Sequence, residues 1–308
     1  MHAIATTMML LTLLVPTKTW FTPQQPVTVQ VKTSSPIKLA LTDLLGNPQD
    51  GPDTQVTADK TINVEEIYRE LRTPGTYFLY AVPADKSFPN FVGTPLVISV
   101  RPDNRRNAPP GPMVTKVEPL QYAEITTDLG ILRAALYYDV APNTVTNFIN
   151  LSTSGFYDGL TFNRVIPNFL IQTGDPRGDG SGSAGYSIDA EFSDRPHLPG
   201  VLSMARMTDP NEPRIPPRPE FANSAGTQFF ICLDYTNTSQ LDGRYTAFGQ
   251  ITDGLNIIEQ IGKTPIADPR SGTPQHAIQI RKIEIKPVTP AYNPYLQLKV
   301  SKLATTRP

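Results

Sequence analysis

The sequence is poor in the side chains on which much protein chemistry depends. Its single cysteine, Cys232, excludes an intramolecular disulfide. Flanked by Phe229, Phe230, Ile231 and Leu233, it reads as a small buried hydrophobe. The three histidines, His2, His197 and His276, stand far apart without metal-ligand spacing, which argues against a zinc site. No cofactor motif is present. Asp175-Pro176-Arg177-Gly178-Asp179-Gly180 opens like a calcium loop, but Arg177 occupies a ligand position and Tyr186 stands where a bidentate glutamate is required. Residues 178–185 are glycine-rich yet lack the Gly-Lys-Ser/Thr of a phosphate loop. Ser203 and Ser224 have no nearby histidine in the sequence to activate them, which speaks against a serine nucleophile.

Neither sign of charge dominates. Lys+Arg number 27 against 28 Asp+Glu, a net charge of −1, so the footprint of a nucleic-acid binder is missing. Long apolar runs are missing too. Met8 to Val15, extended by Ile4 and Ala5, covers about a dozen residues, too few to span a bilayer. Residues 1–18 read as a possible secretory signal, which would make the protein exported or periplasmic. No Lys or Arg precedes the run, however, and Pro16-Thr17-Lys18 follows in place of a small-x-small cleavage site. A first β-strand or a mis-chosen start codon is therefore the alternative, with the protein then cytoplasmic.

What the chain has in excess is proline, 32 residues of 308, about twice ordinary usage. Between the prolines lie short alternating segments. Val27 to Lys32, Ile37 to Leu41, Thr61 to Val64, Thr76 to Val82 and Pro95 to Val100 read as strands separated by turn signals, with a single helical turn near Glu65 to Leu71. This predicts an immunoglobulin-like antiparallel β-sandwich over 19–101. The stretch 102–119 carries five prolines and reads as a stiff extended linker. Residues 288–308 form a tail in which Leu296, Leu298 and Val300 alternate as an edge strand would.

A second domain is predicted over 120–287. Ala123 to Leu136 has the pattern of a hairpin around Asp128-Leu129-Gly130. Ala141 to Leu151, with Pro142 in the first turn and apolar Val145, Phe148, Ile149 and Leu151, reads as a helix. Leu255 to Ile261 reads as a second, with Leu255, Ile258 and Ile261 on one face, and Ala277 to Ile285 as a strand. Between the helices, Phe162 to Pro176 places Arg164 and Gln172 inside an apolar strand pair whose Ile166-Pro167-Asn168 turn can bring them together.

Four blocks, Phe162 to Pro176, Gly200 to Arg206, Ser224 to Ile231 and Leu241 to Gly249, resemble in order and spacing the cyclophilin family of peptidyl-prolyl isomerases, from about Tyr122 to Ile285. The resemblance implies a closed eight-stranded antiparallel β-barrel capped by two helices, with the active site on its outer face. It implies an isomerase that accelerates rotation of X-Pro bonds in proline-containing polypeptides and assists folding. A proline-peptide-binding scaffold with little turnover is the alternative.

The chemistry asks for little. Twisting an X-Pro amide means decoupling its nitrogen lone pair across a barrier of roughly 18–20 kcal/mol, with no bond made to the substrate. A fixed hydrogen-bond donor, an apolar slot for the ring and groups that hold the flanking peptide suffice. Arg164, a permanent donor, and Gln172 fill the catalytic roles by resemblance. By the same resemblance Phe169, Leu170, Met204, Phe230 and Leu241 line the slot, with Tyr245 walling it; Gln172 accepts from Arg164 and donates to a peptide carbonyl, and Ala205, Gln228 and Gln240 flank the peptide. The chain departs from many eukaryotic members where Gln240 replaces a tryptophan, Tyr245 a histidine and Arg206 an asparagine. It also inserts a proline-rich loop, Thr208 to Pro219, longer than is usual beside the groove. The missing tryptophan implies weak cyclosporin binding.

Overall fold

The computed structural model describes residues 13–22, 24–103, 111–212 and 217–298. They form two compact units, one comprising residues up to Leu120 together with Pro287–Leu296, the other built on Gln121–Lys286.

The first unit is a two-layer β-sandwich. One sheet joins β1 (Leu14–Pro16), β3 (Thr28–Val31) and β6 (Lys60–Asn63) in the order β1-β3-β6. The other joins β2 (Trp20–Phe21), β4 (Ile37–Asp43), β5 (Gln55–Val56), β7 (Gly75–Pro83), β8 (Val92–Asp103) and β9 (Gly111–Pro119) in the order β2-β9-β8-β7-β4-β5. Period-2 alternation sends Val29, Val31, Leu39, Leu41, Leu79 and Ile98 into one shared core. The single expected helical turn is α1 (Val64–Ile67), capped by the Asn63 side chain and followed by a 3-10 turn over Arg69–Arg72.

Three boundaries differ from the sequence reading. The segment read as a linker contains β9, paired with β8 from Leu96↔Pro119 to Asp103↔Gly111. Thr115 and Val117 are buried on alternate positions, and the prolines stand at the strand's ends, where a missing ladder donor is tolerated. The end of the apolar run read as a signal is β1, with Leu13 and Leu14 buried and Leu14 paired to Val31; residues 1–12 lie outside the described residues. Nor is the start of the tail an edge strand. Pro294–Gln297 is a 3-10 turn that places Tyr295 edge-on to Phe78, ring centroids 5.0 Å apart, on the face of β7 turned away from the sandwich core. Val300 lies outside the described residues.

The second unit is built on β10 (Gln121–Thr127), β11 (Gly130–Leu136), β12 (Arg164–Ile166), β13 (Leu170–Thr173), β14 (Val201–Met204), β15 (Phe229–Cys232), β16 (Ala247–Asp253) and, after a small ribbon of β17 (Ile266–Asp268) and β18 (Thr273–Pro274), β19 (Ile280–Pro287). Eight of these make one antiparallel sheet ordered β12-β13-β15-β14-β16-β11-β10-β19. It curls until its ends meet. Phe162 N–H donates to Ile278 O at 2.9 Å and Ile280 N–H to Leu160 O at 2.7 Å, with a bridge between Thr161 and Gln279.

Two longer helices pack on the barrel, α2 (Pro142–Thr153) and, after the short turns α3 (Pro219–Ala222) and α4 (Tyr235–Thr238), α5 (Leu255–Gly262). Val145, Phe148 and Leu151 of α2 are buried, Phe148 against Tyr157, Phe229 and Phe248. The Glu191 carboxylate accepts from the Asn143 and Thr144 N–H groups at the start of α2. In α5 Ile258 and Ile261 are buried but Leu255 is exposed, so the inward face is narrower than its spacing predicts.

Candidate active site

Arg164 opens β12 directly opposite Gln172 on β13, because the turn Ile166-Pro167-Asn168-Phe169 reverses the chain. Phe169 N–H donates to Ile166 O at 3.0 Å, and Asn168 adopts the left-handed φ of 58° that asparagine tolerates. The row continues across the sheet through Gln172↔Phe230 and Phe230↔Ser203. Cross-strand partners lie on one face, so Arg164, Gln172, Phe230 and Ser203 share a side. The adjacent row, Val165, Ile171, Ile231 and Leu202, is fully buried and fills the barrel.

The Arg164 guanidinium is exposed and its Nη1 donates to Gln172 Oε1 at 3.4 Å. Gln172 is itself buried and donates through Nε2 to Gln228 Oε1 at 2.9 Å. Gln228 Nε2 in turn donates to Gly180 O and Gly182 O, at 3.1 and 2.8 Å. Their loop is organised by the buried Asp175 carboxylate, which accepts from Arg177 N–H and Gly180 N–H. The stretch that begins like a calcium loop thus spends this carboxylate on its own backbone. Gln228 thus has both amide donors committed within the chain, where the sequence reading has it holding the peptide, whereas Gln172 uses one of its two amide N–H groups on Gln228 and has a second for the substrate carbonyl that the sequence reading gives it.

Phe230 is buried. Tyr245 stands edge-on to it, ring centroids 5.7 Å apart and planes at 75°. Burial pushes the Tyr245 hydroxyl above its usual range. Met204, Leu170 and Leu241 are buried and Phe169 half-buried. Ala205 N–H donates to Gln228 O at 2.9 Å, which fixes the start of the loop beyond β14. Gln240 is exposed on a 3-10 turn, with its amide donating to Asn237 O at 2.8 Å. The Leu241-Asp242-Gly243-Arg244 turn, with Gly243 at φ +70°, delivers Tyr245 to the slot.

Sequence reading placed no histidine near Ser203, and the structure overturns that. Gly200, at φ +86°, folds residue 197 back onto β14, so that His197 Nε2 lies 3.0 Å from Ser203 Oγ and Nδ1 2.9 Å from Asp242 Oδ1. Burial raises the Asp242 carboxyl, but the His197 ring and backbone N–H and the Tyr235 hydroxyl outweigh it and hold Asp242 below the usual range. An ionised carboxylate only accepts, so Nδ1 carries the proton donated to it. Ser203 and His197 both have 0% exposure. No carbonyl carbon can reach this serine, and the chain of hydrogen bonds instead locks His197 beneath Phe230, ring centroids 6.4 Å apart.

Sequence reasoning also missed the group beside Tyr245. Arg206 lies with its guanidinium carbon 4.2 Å over the Tyr245 ring, held by Glu212 and the Arg244 carbonyl. The signal available was the basic residue after Met204-Ala205 together with an acid in the insertion.

The family model described as cyclophilin type peptidyl-prolyl cis-trans isomerase/CLD matches residues 122–285. A peptidyl-prolyl cis-trans isomerase of Synechococcus elongatus is 46% identical over 135 residues, covering 44% of this chain and 83% of the relative. One of Helicobacter pylori is 36% identical over 151 residues, 48% of this chain and 83% of the relative. Among solved structures, a Cryptosporidium parvum cyclophilin type isomerase studied with the dipeptide Ala-Pro is 32% identical, covering 54% of this chain and 98% of that one at a TM-score of 0.47. The segment matched by the family model coincides with the barrel itself, from within β10 to within β19, and the chain therefore belongs to the cyclophilin-type peptidyl-prolyl cis-trans isomerases.

Proposed function

We propose that Arg164 is the catalytic residue of this isomerase and that Phe230, Phe169, Met204, Leu241 and Tyr245 receive the proline ring, in polypeptides whose folding the enzyme assists. One observation carries the reading. A permanently charged donor, oriented by Gln172, stands on the cross-strand row that continues into the buried Phe230 ring.

As the X-Pro amide twists, its nitrogen pyramidalises and gains a lone pair that can accept a hydrogen bond. Planar amide nitrogen offers none, so a donor placed there acts on the transition state and not on the ground state. Gln172 orients that donor: its Oε1 accepts from Arg164, and its Nε2 is fixed by Gln228. The relay back to the 180–182 carbonyls keeps the amide from flipping. The apolar wall removes water from the twisting bond and strengthens the contact. Each tenfold in rate needs about 1.36 kcal/mol, so one such donor and a dry slot suffice for about a thousand-fold.

The test is an exchange assay on a short X-Pro peptide. Arg164→Ala should lower kcat/KM by about two to three orders of magnitude while the barrel keeps its melting temperature. Turnover unchanged in that variant would remove Arg164 from the mechanism. Peptide binding with turnover at the buffer rate in the wild-type chain would leave a binding scaffold.

A further inference from the structure

The proline-rich insertion is joined to the slot by an unusual arrangement. The Arg206 side chain is only 2% exposed, although it ends in a full positive charge. Its Nη1 and Nη2 donate to the two oxygens of Glu212, at 3.1 and 2.6 Å. Nε donates to Arg244 O at 3.1 Å, and Nη1 also reaches Met207 O at 2.8 Å. Glu212 accepts as well from Arg244 Nη1 at 3.2 Å. Doubly held, the guanidinium lies with its carbon 4.2 Å over the Tyr245 ring, which meets Phe230 in an edge arrangement. A charge so withdrawn from water is costly without a partner, and Glu212 is the partner.

The same loop carries a second ion pair with a different address. Asp209 accepts from the Arg218 backbone N–H, Nε and Nη2 and from Asn211 N–H, and Arg218 lies over Phe221. This pair closes the insertion on itself, whereas the Glu212 pair closes it on the slot; the two meet through the Asp209 backbone N–H, which donates to Glu212 Oε2 at 3.3 Å and which a change of the Asp209 side chain leaves in place.

We infer that Glu212 is a positioning residue of the proline slot: it holds Arg206 over Tyr245 and through that ring fixes the wall that meets Phe230, so that this one acid of the insertion belongs to the binding site. The inference rests on the reading of the Phe230 surface as the proline slot. It assigns Glu212 to substrate binding and not to the chemical step, because Arg164 lies on another strand and is oriented by Gln172.

Glu212→Gln keeps the shape and removes the charge. It should raise KM about ten-fold and leave kcat within about two-fold, the split expected when ground-state and transition-state binding fall together. Asp209→Asn, in the same loop but away from Tyr245, should lower the melting temperature with KM unchanged. In a double-mutant cycle, Glu212→Gln added to Arg206→Asn should raise KM no further. Additive effects, or a Glu212→Gln variant that only melts earlier as Asp209→Asn does, would overturn the inference. Arg164→Ala run alongside separates the two readings: its loss of turnover upholds the slot when Glu212 fails, and its retention fells both.

Discussion

At the scale of single residues, two positions separate family resemblance from what this chain does. Gln240 stands where many eukaryotic members have a tryptophan, and one N–H of its amide donates to Asn237 O. A cyclosporin-like ligand therefore loses an aromatic contact and meets a flexible amide in place of a rigid indole donor, about 2–4 kcal/mol together. Turnover should tolerate cyclosporin at nanomolar concentrations, and Gln240→Trp should tighten drug binding at least about ten-fold with little change in rate. Nanomolar inhibition of the unaltered protein would refute this. Ser203 makes the second case. Its bond to His197, itself tied to Asp242, has the connectivity of a hydrolase triad, yet both Ser203 and His197 are sealed from solvent. A serine-directed fluorophosphonate should leave Ser203 unmodified in the folded protein. Labelling there would mean that the barrel opens around it.

At the scale of elements, the sequence was legible wherever the period of burial matched the element. The strands over 27–32, 37–41, 61–64 and 76–82, the helix starting at Pro142 and the Arg164–Gln172 pairing all follow from local alternation and turn chemistry. What was hidden depended on partners far away. The strand Gly111–Pro119 alternates correctly at Thr115 and Val117, but prolines crowd its approach, and only its pairing with β8 identifies it as a strand. The His197–Ser203 contact depends on the φ of Gly200, and Glu212 reaches Arg206 through an insertion with no apolar period. Close approach also leaves a test. Gly174, at φ +84°, would place a Cβ 2.4 Å from Thr227 O, so Gly174→Ala should cost about 2–4 kcal/mol in urea unfolding; a loss under about 0.5 kcal/mol would show that the two strands can part there.

The barrel's acid response follows from its ion pairs. Glu124 on β10 meets Arg133 on β11 and Lys286 on β19. Burial raises its carboxyl, but the two cations outweigh this and hold it below the usual range. Glu212, beside Arg206, and Asp242, beside His197, are lowered as well. A carboxyl whose folded pKa is depressed contributes stability that is present above its unfolded value, about 4, and is lost as pH falls through the folded one. Unfolding free energy should therefore hold steady from neutral pH to about 5 and decline below about 4, more shallowly in Glu124→Gln. A decline already complete at pH 5 would contradict the assignment.

For the whole molecule, the first unit is discontinuous in sequence. Residues 287–296 return to it after the barrel: Val288 N–H donates to Leu120 O at 2.9 Å and Tyr295 is buried on Phe78. Tyr295→Ala should lower the stability of the sandwich by about 3–4 kcal/mol without changing isomerase turnover; a fall in turnover instead would assign Tyr295 to the active site. A protease site engineered into 104–110 should yield two fragments on a denaturing gel that elute as one particle, because β9 stays paired to β8. Separation of the fragments would restore the linker reading.

That return of the chain has a meaning for synthesis. A ribosome releases this protein from its amino end, so the residues that complete the sandwich emerge only after every strand of the barrel has been made. Although the enzyme comes second in the sequence, its strands are all made first, and the sandwich ahead of it must wait for the ring that packs on Phe78 until Tyr295 arrives.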